Sequence, residues 1–458
     1  MEETNISQEQ NPLGAAPVGG LILKFAIPAI ISMLVSAMYN IVDQIFIGQG
    51  VGMLGNAATN VAFPVTTIAT ALALLLGIGG ASNYNLEMGA GREKKASSIA
   101  GTGLSSLAIF GTVIAVIVLL FLKPLLHLFG GTPDVMPYAI DYMGITAIGL
   151  PFYVLSIGGN HLIRADRSPT YSMTCTLIGA IINTILDPLF IFVFHMGVAG
   201  AAIATVISQI VSCLFVLGCL FSKRMPVRLG WGDFHLHVMK RIVTFGFSPF
   251  LILASDSILL IVLNTVLQRY GGPGEGDTLV TCATIVQSYL LLITMPMGGI
   301  TLGSQPVVSF NYGKGDAQRI KKAILYITGL CVSFCILMTV VTWTISPVYV
   351  RLFTEDPEIL HRSITYIKRF TFMIIPLAVQ YPLVDETTAL GKVKLALFCS
   401  AFRKFIFLAG LIFLPALFTA DAAFFSEPVA DVVSATMTSC LFFHFFPKIL
   451  KEREHVTI

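Results

Sequence analysis

The stretch Thr176–Phe194 reads TLIGAIINTILDPLFIFVF. It is apolar and long enough to cross a bilayer, which takes about 20 residues at about 1.5 Å per residue. Asn183 and Asp187 interrupt it, four residues apart, so on a helix they share a face. A carboxylate deep in a membrane helix costs about 2.5–3.5 kcal/mol on insertion scales, and its default reading is functional. Pro188 follows at once. Lacking an N–H, it should bend the helix and free a carbonyl beside the carboxylate. The pattern suits a cation site, and the rest of the chain reads as what surrounds it.

Of the 458 residues, 55% are hydrophobic and 12% charged, and the mean hydropathy is +0.83. Soluble domains carry about 25% charged residues, so the fold class is an all-α polytopic membrane protein. Twelve apolar windows predict transmembrane helices at roughly 21–47, 56–86, 97–122, 137–162, 169–194, 198–221, 240–269, 278–311, 319–346, 360–390, 394–416 and 422–446. The expected organisation is an N-terminal tail (1–20), a first lobe (21–222), a linker (223–239), a second lobe (240–447) and a C-terminal tail (448–458). Lys and Arg crowd the even-numbered connections and the tails, as at Arg92, Lys94, Lys95, Arg164, Arg167, Lys314, Arg319 and Lys392. The positive-inside rule then places both termini in the cytoplasm of a multi-pass protein of the cell membrane. The start lacks a basic region and a cleavage site, so the first span should itself direct insertion. All eight Cys fall in apolar windows without metal-ligand spacing and read as small core residues.

The chain repeats itself. Shifted by 224 residues, LGIGGASNYNLEMGAG (76–91) overlies ITLGSQPVVSFNYGKG (300–315), pairing Gly79 with Gly303, Gly89 with Gly313 and Gly91 with Gly315. Pro133 meets Pro357 and Tyr142 meets Tyr366. Six helices per half make these parallel repeats, related by an axis along the membrane normal. Two such halves facing one another is transporter architecture.

Depth sorts the intramembrane polar residues. Asp43 lies near the outer end of the first helix, Asn183 and Asp187 in the outer half of the fifth, and Thr205 about two turns below the outer end of the sixth. These four can share one depth and bind a proton or a sodium ion. The plain alternatives are an interfacial residue for Asp43 and a cap of the Pro188 kink for Asp187. Asp256, midway along the seventh helix, either meets a cationic substrate or bonds to Ser255 or Ser257. At a shift of 221, Pro28 overlies Pro249 and Asp43 falls on Asn264, so the cation site should be one-sided. Asp385 and Glu386 lie near the Gly391 turn, where a solvated role is expected. Gln287 and Gln380 read as cleft-lining donors or as helix–helix glue. Arg164-Ala-Asp166 and Gly313-Lys314-Gly315-Asp316 could brace an inner gate or serve topology alone. No phosphate-binding loop of the G-x-x-x-x-G-K-[ST] type, no HExxH and no GxSxG occurs, which argues against an ATP-driven pump or a hydrolase.

These features resemble the multidrug and toxic compound extrusion (MATE) family, in its MepA-like bacterial branch. The resemblance rests on Tyr39–Gly48 (YNIVDQIFIG), Arg164-Ala165-Asp166, Leu186–Phe192 (LDPLFIF), Met196–Thr205 (MGVAGAAIAT), Gln305-Pro306 and Asn311–Gly315 (NYGKG). It implies two six-helix lobes around a V-shaped cleft, alternating access, and export of amphipathic, often cationic compounds in exchange for protons or sodium. It also implies a cation site at Asp43, Asn183, Asp187 and Thr205, the four that depth selects. The run Val384–Gly391 (VDETTALG) departs from the family pattern, which leaves any substrate contacts there open.

The expected function is a cation-coupled multidrug antiporter, not an enzyme. It needs no cofactor beyond the coupling ion, binds no nucleic acid and acts as a monomer. Tyr39, Asn40, Asp256 and Gln287 are the candidate substrate contacts. The rival reading is a flippase for a lipid-linked saccharide, which would need basic residues for a pyrophosphate. Lys368, Arg369, Arg403 and Lys404 are the candidates for that role. An ion channel would need symmetric polar rings, which the one-sided acids disfavour.

Overall fold

A computed structural model of the chain describes residues 11–222, 234–272 and 274–454. The first ten residues of the tail, most of the linker (223–233) and residues 455–458 lie outside them. The described chain is helical, with no strand. After a short α1 (Pro12–Ala15) come α2 (Val18–Gly50), α3 (Met53–Gly89), α4 (Glu93–Leu120), a short α5 (Leu122–Leu128), α6 (Met136–Ala165), α7 (Pro169–Pro188) and α8 (Gly197–Leu220). Then follow α9 (Leu236–Gly271), α10 (Glu275–Lys314), α11 (Ala317–Arg351), α12 (Pro357–Phe370), α13 (Ile374–Ala389), α14 (Val393–Leu417) and α15 (Ser426–Glu454). Eleven helices are long and apolar enough to cross a membrane, and α12 with α13 counts as a twelfth span.

That twelfth span is not the single helix expected over 360–390. It bends by 52° between Phe370 and Ile374. Pro376 supplies the reason: its ring crowds the carbonyl of Phe372 and it has no N–H to close that turn. Turns elsewhere use the expected residues. Gly91 and Gly315, paired by the 224-residue shift, both take left-handed backbone (φ 71° and 83°), which only glycine adopts without strain. Asp316 then caps α11, accepting from the Arg319 backbone N–H at 3.0 Å.

Two compact units emerge. Unit 1 holds α1 and Ile27–Phe250, and unit 2 holds Ala16–Ala26 and the chain from Leu251 on. The boundaries fall inside α2 and α9, beside Pro28 and Pro249. Proline breaks the helical ladder, so one helix can serve two packing environments. In unit 1, α6 is central: Gly77 of α3 approaches Gly158 so closely that a Cβ would stand 2.7 Å from its Cα. The start of α9 packs as tightly on α3, where a Cβ on Gly246 would stand 1.7 Å from the Leu75 carbonyl oxygen. Small residues let membrane helices meet backbone to backbone. In unit 2, α10 is buried on nearly every side from Pro296 to Tyr312, as an apolar helix without a polar face requires. Six of the eight Cys are buried as expected, but Cys440 is exposed.

Candidate functional site

The polar residues of α2, α7 and α8 converge within unit 1. Asp187 is fully buried, and Asp43, Asn183 and Thr205 are each at most 6% exposed. Asn183 Nδ2 donates to Asp187 Oδ1 at 3.1 Å and to Thr205 Oγ1 at 3.4 Å. The Asp43 and Asp187 carboxyls stand within hydrogen-bonding reach of one another. Thus Asp43 is buried and not turned to headgroups, and Asp187 bonds to Asn183 in a buried cluster.

Local sequence explains why α7 can present this face. Pro188 cannot give the N–H that the Thr184 carbonyl would accept, and the chain passes directly into one π-helical turn, Leu189–Val193. Such turns accompany functional sites often. The turn closes through Phe194 N–H to the Leu189 carbonyl (3.0 Å) and Met196 N–H to the Phe190 carbonyl (2.9 Å). The C-terminal end of α2 rests on it: Phe46 meets Phe192 edge-on at 6.2 Å, and Ile47 and Ile191 share a small buried cluster with Ala201. The apolar neighbours leave the acids without bulk water.

Three buried oxygens of the cluster, Asp43 Oδ1, Asn183 Oδ1 and Asp187 Oδ2, have no hydrogen-bond partner. Two carboxylates that meet in a desolvated site repel unless a proton or a cation stands between them. The free acceptor atoms are all oxygen, which suits a proton or a hard alkali cation. Tyr39 joins the cluster, its hydroxyl meeting the Thr205 side chain. Tyr142 of α6 lies within electrostatic reach of Asp43, Tyr39 and Asp187. Sequence reasoning used Tyr142 only as a repeat marker; no spacing on its own helix points to the acids.

The other predicted residues stand apart. Asn40 is exposed and donates to the Ser36 carbonyl at 2.9 Å. Asp256 and Gln287 belong to unit 2. Asp256 is exposed and does not bond Ser255, whose hydroxyl goes to the Leu251 carbonyl; the Ser257 side chain lies outside the described residues. Asp256 forms an ion pair with Lys404 of α14, whose ammonium also donates to the Ile252 carbonyl at 2.9 Å. Gln287 is half-buried. Gln380 is helix glue, accepting from Ser434 at 2.8 Å. Glu386 contradicts the expected solvated role, being fully buried with both carboxyl oxygens unpartnered. The error came from judging depth by distance from a turn.

At the turn that ends α6, Arg164 and Asp166 form no ion pair among the described residues. Asp166 accepts instead from the Tyr84 hydroxyl. Burial lifts its carboxyl from 3.8 to about 7, against the downward pull of Tyr84 and Arg167. The ion pairs of this end belong to Glu87, which holds Arg92 and, at 2.8 Å, Arg241.

Comparison with known proteins bears on this arrangement. The MatE family model matches twice, over residues 28–189 and 252–414, reproducing the 224-residue repeat. A Staphylococcus haemolyticus protein described as multidrug export protein MepA is 26% identical over 420 residues, covering 90% of this chain and 91% of its own. A Shewanella oneidensis protein described as an FAD transporter is 27% identical over 378 residues, 79% of this chain and 80% of that one. Among solved structures, an outward-facing multidrug resistance MATE family transporter superimposes with a TM-score of 0.90 at 24% identity. The match covers 98% of this chain and 99% of that one.

Proposed function

Because the chain belongs to the MatE family of membrane transporters, we propose that it is a cation-coupled antiporter that exports amphipathic, cationic compounds from the cell. The observation that carries this reading is the buried Asp43–Asp187 pair, which together with Asn183 leaves three oxygens unpartnered. A coupling ion, H⁺ or Na⁺, would bind there with Asn183 and Thr205 as supporting ligands. Its entry neutralises the pair, changes the packing of α2 against α7, and so favours one transport state over another. An ion shifts such an equilibrium only by its differential affinity for the two states, and a site that must repel itself when empty provides that difference. Tyr39, next to the site, would sense the ion from the substrate side. Sequence similarity to the multidrug export protein supports the substrate class, and the Lys/Arg distribution supports cytoplasmic termini. The site lies wholly within one unit of one chain, which fits action as a monomer.

The flippase alternative loses its basic residues to neighbours. Arg369 pairs with Asp421 at 2.7 Å. Arg403 pairs with Glu427 and, at 3.0 Å, with Asp431. Lys404 pairs with Asp256, and Lys368 lies over the Trp343 ring at 5.0 Å. Each candidate cation for a pyrophosphate already has a partner.

The test is efflux of ethidium from proteoliposomes under separately imposed proton and sodium gradients, comparing wild type with Asp43→Asn and Asp187→Asn. Export driven by one gradient should fall about tenfold or more in both variants, a barrier change of about 1.4 kcal/mol or greater. Export that survives both substitutions would refute the assignment. FAD, tried in parallel, tests whether this chain shares the activity named for the Shewanella oneidensis relative.

A further inference from the structure

Unit 1 buries a positive charge that no neighbour neutralises. Arg164 lies one residue from the end of α6 and is 7% exposed. Its Nη1 has no hydrogen-bond partner, and among the described residues the guanidinium forms no ion pair. Asp166 does not serve it. Residues two apart on a helix do not face each other, and Asp166 accepts from the Tyr84 hydroxyl of α3, with Arg167 as the cation within its reach. Glu87, the buried acid of α3, is held by Arg92 and Arg241.

Unsatisfied polar groups accompany this arginine. Asn160 and His161 precede it by four and three residues, the spacings that share a helix face. Each is 8% exposed. The charge that reaches His161 is Arg164. Asn160 Oδ1 is buried without a partner. Next to Tyr84 on α3, Asn85 is 1% exposed, and both of its amide atoms are unpartnered.

The chemistry of these groups selects the ligand. A guanidinium stays protonated inside proteins, so Arg164 cannot shed its charge on burial. A charge taken out of water without a counter-charge is strongly destabilising. A bound water would satisfy the N–H groups and leave the charge. A metal ion would add to it. An anion meets both needs. The donors are the Arg164 fork, the ring N–H that a neutral His161 keeps, and the NH₂ group of Asn160, which a turn of the amide brings to the place of Oδ1. One fixed positive charge balances one negative charge, whereas a dianion would bring a second charge with nothing to meet it.

We propose that Arg164, with Asn160 and His161, binds a small monoanion in unit 1, either free chloride or the carboxylate of a small organic acid. The site shares no residue with the Asp43–Asp187 cluster, so it does not rest on the antiporter reading.

The test uses the full chain in phosphatidylcholine discs, whose lipid carries no net charge. The discs are equilibrated separately with ³⁶Cl⁻ and with ¹⁴C-acetate, each as the choline salt, and the retained label is counted per chain. Saturable retention at one anion per chain is expected for at least one of the two. The tighter of them identifies the source as halide or carboxylate. Affinity should fall about tenfold or more in Arg164→Gln, as loss of a charge-assisted hydrogen bond requires, and return in part in Arg164→Lys. The bound anion should also raise the unfolding temperature of wild type and not that of Arg164→Gln, since a ligand of the native state stabilises it. Saturable retention of neither label overturns the site. Retention unchanged in a folded Arg164→Gln overturns the assignment to Arg164. If that variant does not fold, competition on wild type decides: sulfate should displace the label poorly, and sulfate as effective as chloride at equal ionic strength marks surface screening and overturns the proposal. Asp43→Asn/Asp187→Asn should bind the anion as wild type does, so failure of the coupling reading leaves this result separate.

Discussion

Asp166 shows how one carboxyl just beyond a span can report on the fold. It is 5% exposed and bonded to Tyr84, and its carboxyl sits at about 7 in the folded protein. The folded chain therefore binds this proton more tightly than the unfolded chain does. The stability linked to it is present below about pH 4 and is lost as the pH rises through about 7. Asp166→Asn keeps an oxygen for Tyr84 and removes the titration. Thermal unfolding should show the variant more stable than wild type at about pH 8 and equal to it near pH 4, each tenfold gain in proton affinity on folding being worth about 1.4 kcal/mol. Other residues were readable without coordinates to very different degrees. Asp43, Asn183, Asp187 and Thr205 stood out because polar atoms in apolar helices are rare and their depths could be counted. The Lys404–Asp256 pair was hidden, since α9 and α14 are far apart in sequence and nothing local sets which faces meet. Glu386 was misjudged because counting residues from a turn measures distance along a helix and not enclosure by its neighbours.

At the scale of elements, prolines mark where helices stop being ideal. Eleven spans were legible as apolar windows, and Pro188 foretold a disturbance beside Asp187. The π-helical form of that disturbance was not legible, because it depends on α2 packing against the turn through Phe46 and Ile47. Pro188→Ala restores the N–H and removes a residue that disfavours helix interiors by about 3 kcal/mol. The variant should unfold at a higher temperature and export ethidium more slowly, with wild-type efflux being the outcome against this view. The bend between α12 and α13 was missed although Pro376 was visible, since proline is tolerated in a helix's first turn and kinks others. Close helix contacts make a separate prediction. A Cβ on Gly246 would stand 1.7 Å from the Leu75 carbonyl oxygen, and backbone cannot rotate aside as a side chain can. Gly246→Ala should cost about 1–3 kcal/mol, the usual penalty of overpacking, read as a lowered unfolding temperature in detergent.

For the whole molecule, the double match of one family model shows that two copies of one design have diverged. The first copy holds the paired acids, while the second has Asn264 where a 221-residue shift overlies Asp43, pairs Asp256 with Lys404 and buries Glu386. The division into units follows prolines and not loops, which no composition change announced. Pro28 lies beside the boundary in α2. Pro28→Ala should stiffen that helix where two packing environments meet, slowing efflux several-fold while leaving the unfolding temperature unchanged or raised. Equal lowering of both would point to simple misfolding.

The shared helices also order events in time. Ala16–Ala26 belong to unit 2, where the Ala16 carbonyl accepts from Arg319 at 2.7 Å. That arginine leaves the ribosome some 300 residues later. At about 5–20 residues per second, the first turns of the first span wait on the order of 15–60 seconds for their partners. During that interval the nascent chain must keep an apolar segment parked in lipid without its final neighbours, and a chaperone or protease at the membrane has its widest opportunity there.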